Sequence, residues 1–572
     1  MRLKHFSIVC LAVLFASCAN RGIGPQGGPK DTIPPKPLMA DPEVGSLQFN
    51  SKQIEITFDE YIQLNNVQAN LLMSPPQQNP PELKARGKKL VIRFVDDLHD
   101  STTYTLDFGD AICDYREKVP LHGYSYYFST GNEIDTLVYT GRVYDAATLN
   151  PMSGILVGIH RDTTDTAFTR LPFLRIAKTD SAGYFRIGNI HAGSYRIYAV
   201  DDISRDYRLT PGESCAFGSE PIYVPADSGV TGSLLLFKES QQKLYLQRAE
   251  RKQQHAIQLQ FSAPSDSVPQ IEPIGDSLNY YTQVSAHRDT VTLWLLDSAS
   301  IKHDSIFLAM RYRRTDSLYR LEWFTDTVRA IWRAPKMTPK LIEQQERINR
   351  NRRLELRSNA RKDFDVFDTL RLTCSTPIAR IALDSIRLTE RIDTVVRPIP
   401  FTIADHDSIT HELRFLADLQ PGGNYELLLD SGALHDVYGI THIKGSYGLL
   451  VKKLSDYSTL RVKLNPFLFN ARIQVLNGKD IVLRELPAAE EGALFEHLKP
   501  DTYYLRLYID ENEDGQWTNG DWSKKRQPEP IYYFPEKVQT KSNWDFEEEW
   551  NYQAVEQMKA KPKELVKIVK SK

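Results

Sequence analysis

Ile54-Glu-Ile-Thr-Phe58 and Leu90-Val-Ile-Arg-Phe94 decide the fold. Every second residue in each stretch is large and apolar. Successive side chains of a strand point to opposite faces, so this period of two marks a strand with one face in a core. Tyr104-Thr-Leu-Asp-Phe108 and Tyr124-Ser-Tyr-Tyr-Phe128 continue the run. Turn residues separate these segments every ~8–12 positions, the spacing of an antiparallel sandwich.

The alternation recurs in Ile257-Gln-Leu-Gln-Phe261, Val291-Thr-Leu-Trp-Leu295, Ile306-Phe-Leu-Ala-Met310 and Leu370-Arg-Leu-Thr-Cys374. The 572 residues exceed one hydrophobic core. They predict about four domains, or more if each is a sandwich of ~100 residues. The expected class is all-β: tandem antiparallel β-sandwiches with one helical linker. A formal net charge of -2 leaves no nucleic-acid footprint.

The expected modules are sandwiches over 37–131, 137–238, 243–335, 364–453 and 456–545. Between the third and fourth, Thr338-Pro339 reads as an N-cap with Pro at the first helical position, opening a helical linker over 338–362. Its Lys340–Lys362 stretch holds eight Lys/Arg and three Glu, a solvated spacer rather than a surface for acidic polymer or phospholipid. The tail, 546–572, runs from acidic to Lys-rich and reads as a docked or frayed helix.

Residues 36–131 resemble the bacterial immunoglobulin-like (Ig-like) domain of S-layer and envelope proteins. The likeness lies in Ile56-Thr-Phe-Asp-Glu60, Gly87-Lys-Lys-Leu90, Thr102-Thr-Tyr-Thr-Leu106 and Tyr127-Phe-Ser-Thr-Gly131. Gly27-Gly-Pro-Lys-Asp-Thr-Ile-Pro-Pro35 looks like the lead-in of Bacteroidetes lipoproteins with this domain. The second block has Thr140-Gly-Arg-Val-Tyr144, Pro151-Met-Ser-Gly-Ile-Leu-Val157, Thr179-Asp-Ser-Ala-Gly-Tyr-Phe185 and Gly193-Ser-Tyr-Arg-Ile-Tyr198. These resemble the transthyretin-like, carboxypeptidase-regulatory sandwich, with Asp180 to Gly183 as a hairpin turn. The third and fourth blocks read as Ig-like. The fifth echoes the second: Asp501-Thr-Tyr-Tyr-Leu-Arg-Leu-Tyr508 parallels Gly193–Tyr198, and Glu529-Pro-Ile-Tyr-Tyr533 parallels Glu220-Pro-Ile-Tyr223. An internal repeat is therefore expected.

At the N-terminus, Arg2 and Lys4 precede an apolar run from Phe6 to Phe15 that is too short to span a bilayer. Phe15-Ala-Ser-Cys18 then resembles a lipobox, with Phe15 in place of the usual Leu. The resemblance implies a signal peptide over 1–17, cleavage after Ser17 and a diacylglycerol- and palmitate-bearing Cys18. Residues 18–36, rich in Gly and Pro, form a tether. Cys113, Cys215 and Cys374 are widely spaced and odd in number, which favours three buried small hydrophobes over a disulfide frame.

One loop has metal-ligand spacing. Asp510-Glu-Asn512-Glu-Asp514-Gly-Gln516-Trp-Thr518-Asn-Gly-Asp521 fits D-x-[DN]-x-[DN]-G with a carboxylate at position 12. Ca2+ would draw on the side chains of Asp510, Asn512, Asp514 and Asp521, the Gln516 carbonyl, and Thr518 through a water. Asp521 is shorter than the usual closing Glu, and Leu505–Ile509 reads as a strand rather than a flanking helix. The alternative is an acidic hairpin loop without metal. The corresponding loop of the second block, Asp201 to Asp206, lacks the pattern.

No zinc-protease, serine-hydrolase, P-loop or dinucleotide signature occurs. The 13 His are scattered, and Asp59 and Glu60, adjacent on a strand, face opposite sides. The reading is a non-enzymatic lipoprotein of the outer membrane, favoured on its periplasmic face. It would be held by lipid on Cys18 and would scaffold or bind envelope proteins or glycans, not nucleic acid. The alternatives are a surface glycan-binding adhesin, and a hydrolase whose site is assembled between domains.

Overall fold

In the computed structural model, residues 31–570 are described except 162–163, 165, 226–230, 239–242, 276, 317–319, 334–338, 340–342, 344–351 and 405–409. Cys18 lies outside the described residues. The fold is nearly all-β, with few helices, and is arranged as multiple antiparallel sheets. It divides into two compact units, Met1–Lys238 with Lys567–Lys572, and Glu239–Val566.

In the first unit, Gln53–Phe58 pairs antiparallel with Lys89–Arg93, placing Ile54 opposite Ile92 and Ile56 opposite Leu90. The alternation does what its period requires: Ile54, Ile56, Phe58, Leu90 and Ile92 are fully buried. Each such side chain contributes roughly 1.5–3 kcal/mol by leaving water. A facing sheet of Leu72–Ser74, Thr103–Asp107 and Ser125–Ser129 completes the sandwich, with Tyr104 stacked on Phe128 at 5.5 Å.

The second sandwich is built on Leu137–Asp145, flanked by Tyr184–Ile190 antiparallel and Thr231–Lys238 parallel. The Asp180–Gly183 turn is present, with Asp180 Oδ1 accepting from the Ala182 and Tyr184 amides. Gly183 has φ +71°, and a Cβ there would lie 2.6 Å from the Val143 carbonyl oxygen. The turn does not close a two-stranded hairpin, however. Arg175–Lys178 before it pairs with Leu156–His160, whereas Tyr184–Ile190 after it pairs with Leu137–Asp145. The turn therefore carries the chain from one pairing partner to another.

In the second unit, the third sandwich packs Leu246–Gln253, Ala256–Phe261, Thr290–Leu295 and Tyr280–Val284 against Gln270–Pro273, Ser305–Thr315 and Leu321–Ile331. The fourth faces Leu370–Ile381 and its neighbours toward Ile386–Ile392, Asn424–Leu429 and Gly445–Leu450. The fifth combines Ala493–Leu498, Ser458–Leu464 and Asp545–Trp550 with Val482–Pro487, Ala471–Leu476, Thr502–Ile509 and Ile531–Tyr533.

Two expectations need correction. About half of the expected helix over 338–362 lies outside the described residues, and its end is extended. Leu356–Ser358 pairs with Leu370–Ile381, because Leu354 and Leu356 turn into the core of the fourth sandwich. The tail is not a helix either. Asp545–Trp550 is a strand parallel to Ser458–Leu464, with Trp550 buried, so the fifth sandwich runs past 545. Lys561 is then buried in an ion pair with Asp480 at 2.7 Å. Within the first unit, Val569–Lys570 pairs in parallel with Met152–Ser153.

Candidate functional site

The strand Thr502–Ile509 delivers Asp510 to the start of the acidic loop with its side chain buried. Asp510 Oδ1 accepts from the Asp514 amide (3.1 Å) and Oδ2 from the Gly515 amide (2.8 Å). Gly515, at φ +76°, lets the chain fold back over this carboxylate. Asn512 Nδ2 donates to Asp514 Oδ2 (3.0 Å) and to Thr518 Oγ1 (2.8 Å). The Gln516 amide donates to Asp514 Oδ1 (2.8 Å).

Five of the six expected residues are thus brought into one network, and Asp521 is not among them. Asp521 Oδ1 accepts from Ser523 Oγ (2.6 Å) and the Lys524 amide (3.1 Å). Against the upward push of burial, these bonds hold its carboxyl below the usual range. Glu529 is the carboxylate that sequence reasoning missed. It is buried beneath the loop and accepts from the Glu511 amide (2.9 Å) and the Thr518 amide (2.7 Å). Burial raises its pKa, and Asp510 adds to the rise.

The second sandwich holds its corresponding loop in the same way. Asp202 accepts from the Asp206 and Tyr207 amides, four and five residues on, as Asp510 does from Asp514 and Gly515. Glu213 accepts from the Ser204 and Thr210 amides, as Glu529 does from Glu511 and Thr518. One carboxylate folding the loop and a second pinning its amides is therefore a device of this sandwich, with or without the D-x-N-x-D-G spacing.

For Ca2+, the oxygens of Asp510, Asn512, Asp514 and Thr518 form a fitting donor set only if the Asn512 amide turns its oxygen inward. Among the described residues, no group of three His, Cys, Asp or Glu is placed to hold a metal ion.

Buried polar groups gather where sandwiches meet inside each unit. In the first, Arg175 donates to the Asn189 carbonyl (2.9 Å) and pairs with Asp135 (3.2 Å). Asn189 accepts from Thr105 Oγ1 (3.0 Å), and Ser74 Oγ accepts from the Ile176 amide (3.1 Å). In the second, the buried Asp365 accepts from Tyr457 Oη (2.8 Å) and Lys499 Nζ (2.8 Å), with Arg361 at 3.0 Å and Lys452 at 3.3 Å. Burial alone would raise its pKa, but the bonds from Lys499, Tyr457 and Lys452 bring it down to about 2. Between the third and fourth sandwiches, Trp294 stacks between His255 (5.7 Å) and His411 (5.4 Å), and Tyr438 meets His255 edge-on.

Cys113, Cys215 and Cys374 are all buried, and burial pushes the Cys374 thiol up to about 12. No helix among the described residues is long and apolar enough to cross a membrane.

Residues 31–130 match the bacterial Ig-like domain family. Among solved structures, domains 1–6 of the surface layer protein SbsC are similar over 86% of this chain and 67% of theirs, at 9% identity and TM-score 0.13. The N-terminal part of the bacterial S-layer protein SbsC is similar over 31% of this chain, at 8% identity and TM-score 0.15; the chain spans 47% of its length. Native alpha-2-macroglobulin from Escherichia coli, spanning its MG0-NIE-MG1 domains, is similar over 48% of this chain and 94% of its own, at 11% identity and TM-score 0.16. No curated protein matches the chain.

Proposed function

We propose that the chain is a lipid-anchored envelope protein of the outer membrane, favouring its periplasmic face, that scaffolds or binds protein or glycan without catalysis. The observation that carries this reading is the character of the junctions. The buried Asp365 with its three partly exposed cations and Tyr457, and the buried Arg175 with the half-buried Asp135, place a buried, paired charge where sandwiches meet. Breaking such a cluster strands a charge, so neighbouring modules are held in one arrangement. That suits a spacer or platform better than an enzyme needing a mobile cleft. The Ig-like match over 31–130 agrees with an envelope setting.

The lipid on Cys18 is tested by palmitate labelling of wild type and Cys18→Ser; an unlabelled wild type ends the anchor reading. Protease shaving of intact cells assigns the membrane face. Crosslinking in intact cells with mass spectrometry identifies the partner. Turnover of a peptidoglycan or glycan substrate by the purified chain would replace the scaffold with a hydrolase.

A second reading concerns the 510–521 loop, where the Asp510, Asn512, Asp514 and Thr518 side chains share one network. It would take Ca2+ weakly, without help from Asp521.

A further inference from the structure

The hairpin Ser305–Thr315/Leu321–Ile331 of the third sandwich buries Ile306, Leu308, Met310 and Tyr312 on one face. Its opposite face carries an unusual set. Phe307 lies across from Arg329, and Arg313 lies across from Trp323, with Arg311 one step further along. Trp323 is 50% exposed and Phe307 42%. The guanidinium of Arg311 sits 5.2 Å from the Trp323 ring centroid, and that of Arg329 5.4 Å from Phe307. The hairpin's own carboxylates, Glu322 and Asp326, fall on the buried-side register. Glu272, across from Ala309, is the acid of the neighbouring strand on this face.

Arg313 is paired with Asp266. Among the described residues, no carboxylate pairs with Arg311 or Arg329. Beside Glu272, the face therefore offers two cations outside any ion pair among the described residues and two exposed rings. Six residues separate Phe307 from the row of Trp323, about 20 Å along the strand. A ladder of that length suits a linear polymer rather than a compact ligand. At its far end, the Arg313–Asp266 pair leads to a cavity of about 330 Å³ lined in part by Ser265, Ser267, Val268 and Arg288.

Leu321–Ile331 is also a sheet edge, which could suggest an added peptide strand. The middle of that edge is closed, because the Thr327 amide is taken by Asp326 Oδ1 at 2.8 Å. Recognition is left to the side-chain face.

We propose that this face binds a linear acidic glycan, with uronate carboxylates on Arg311 and Arg329 and sugar rings against Trp323 and Phe307. Planar, fixed guanidinium forks match carboxylates, and ring faces accept the C–H faces of sugars at little entropic cost. The proposal rests on the binding-module reading, whose anchor is tested separately by the lipid label; an unlabelled chain would leave this site standing.

The test is calorimetry on the detergent-solubilised full chain with oligogalacturonate, a neutral malto-oligosaccharide and poly-L-glutamate. The expected result is binding of oligogalacturonate that weakens as salt rises, with none of the neutral sugar. Trp323→Ala and Arg311→Gln should each weaken it at least tenfold, with unchanged melting temperature. Absence of heat at millimolar oligogalacturonate, survival of binding in both variants, or equal binding of poly-L-glutamate would overturn the proposal.

Discussion

Tyr195 and Tyr503 make the same bond in two different sandwiches: each Oη donates, at 2.7 Å, to the carbonyl four residues back, that of His191 or Lys499. Both rings are buried. Removing either hydroxyl deletes a bond, although the Lys499 carbonyl still accepts from Thr540 Oγ1 at 3.1 Å. Tyr195→Phe and Tyr503→Phe should each cost about 1 kcal/mol, read as a lower denaturant midpoint for the affected unit with an unchanged slope.

Asp365 predicts an acid limit. Its pKa falls from 3.8 to about 2 in the folded chain. A depressed carboxyl contributes its stability above the unfolded value and loses it as pH falls from about 4 through about 2. The shift corresponds to roughly 2 kcal/mol. Urea unfolding of wild type and Asp365→Asn should differ at pH 7 and converge near pH 2.

His255 and His411 predict a second, milder dependence. Burial lowers both pKa values; for His255, Arg352 and Arg251 add to the fall while Asp436 opposes it. His411 Nδ1 is buried without a hydrogen-bond partner among the described residues. The neutral rings stabilise the junction above the unfolded value near 6.5, and that contribution is lost as pH falls below it. Amide protection factors around Tyr438, corrected for the intrinsic exchange rate at each pH, should therefore fall from pH 7.5 to 5.5. His255→Gln with His411→Gln should flatten the response.

Lys561 and Asp480 form a pair in which both side chains are almost fully buried, and Tyr533 Oη adds a bond to Asp480 at 3.0 Å. Asp480→Ala alone strands the ammonium and should cost about 3–5 kcal/mol. Adding Lys561→Met should recover much of that loss, as a double-mutant unfolding cycle would show.

Calorimetry on the 510–521 loop should give Ca2+ binding in the millimolar range. Asp514→Ala should abolish it and Asp521→Asn should leave it intact, since Asp521 is tied to Ser523 and Lys524. Dependence on Asp521 would restore the twelve-residue reading.

The fold was legible because a half-buried strand writes its period into the chain, as Ile54, Ile56 and Phe58 do. The echo between the second and fifth blocks was also legible, and the shared tyrosine bond gives it physical content. What alternation could not reveal was direction or partner. Asp545–Trp550 has the same acidic, half-apolar look whether it pairs in parallel or frays. Leu354 and Leu356 sit in a basic run whose composition favours a helix, yet a core vacancy claims them. Glu529 lies eleven residues beyond Thr518, and nothing local marks it as the side chain that pins that amide. Asp365 likewise meets Lys499 only through the tertiary fold.

The parallel pairing of Ser458–Leu464 with Asp545–Trp550 has a mechanical consequence. These strands open and nearly close the fifth sandwich and point the same way. Tension applied to the two ends of that module would pull them past each other lengthwise, loading their hydrogen bonds together instead of one at a time. The second sandwich repeats the geometry in Leu137–Asp145 and Thr231–Lys238, so both would resist stretching by shear rather than by unzipping.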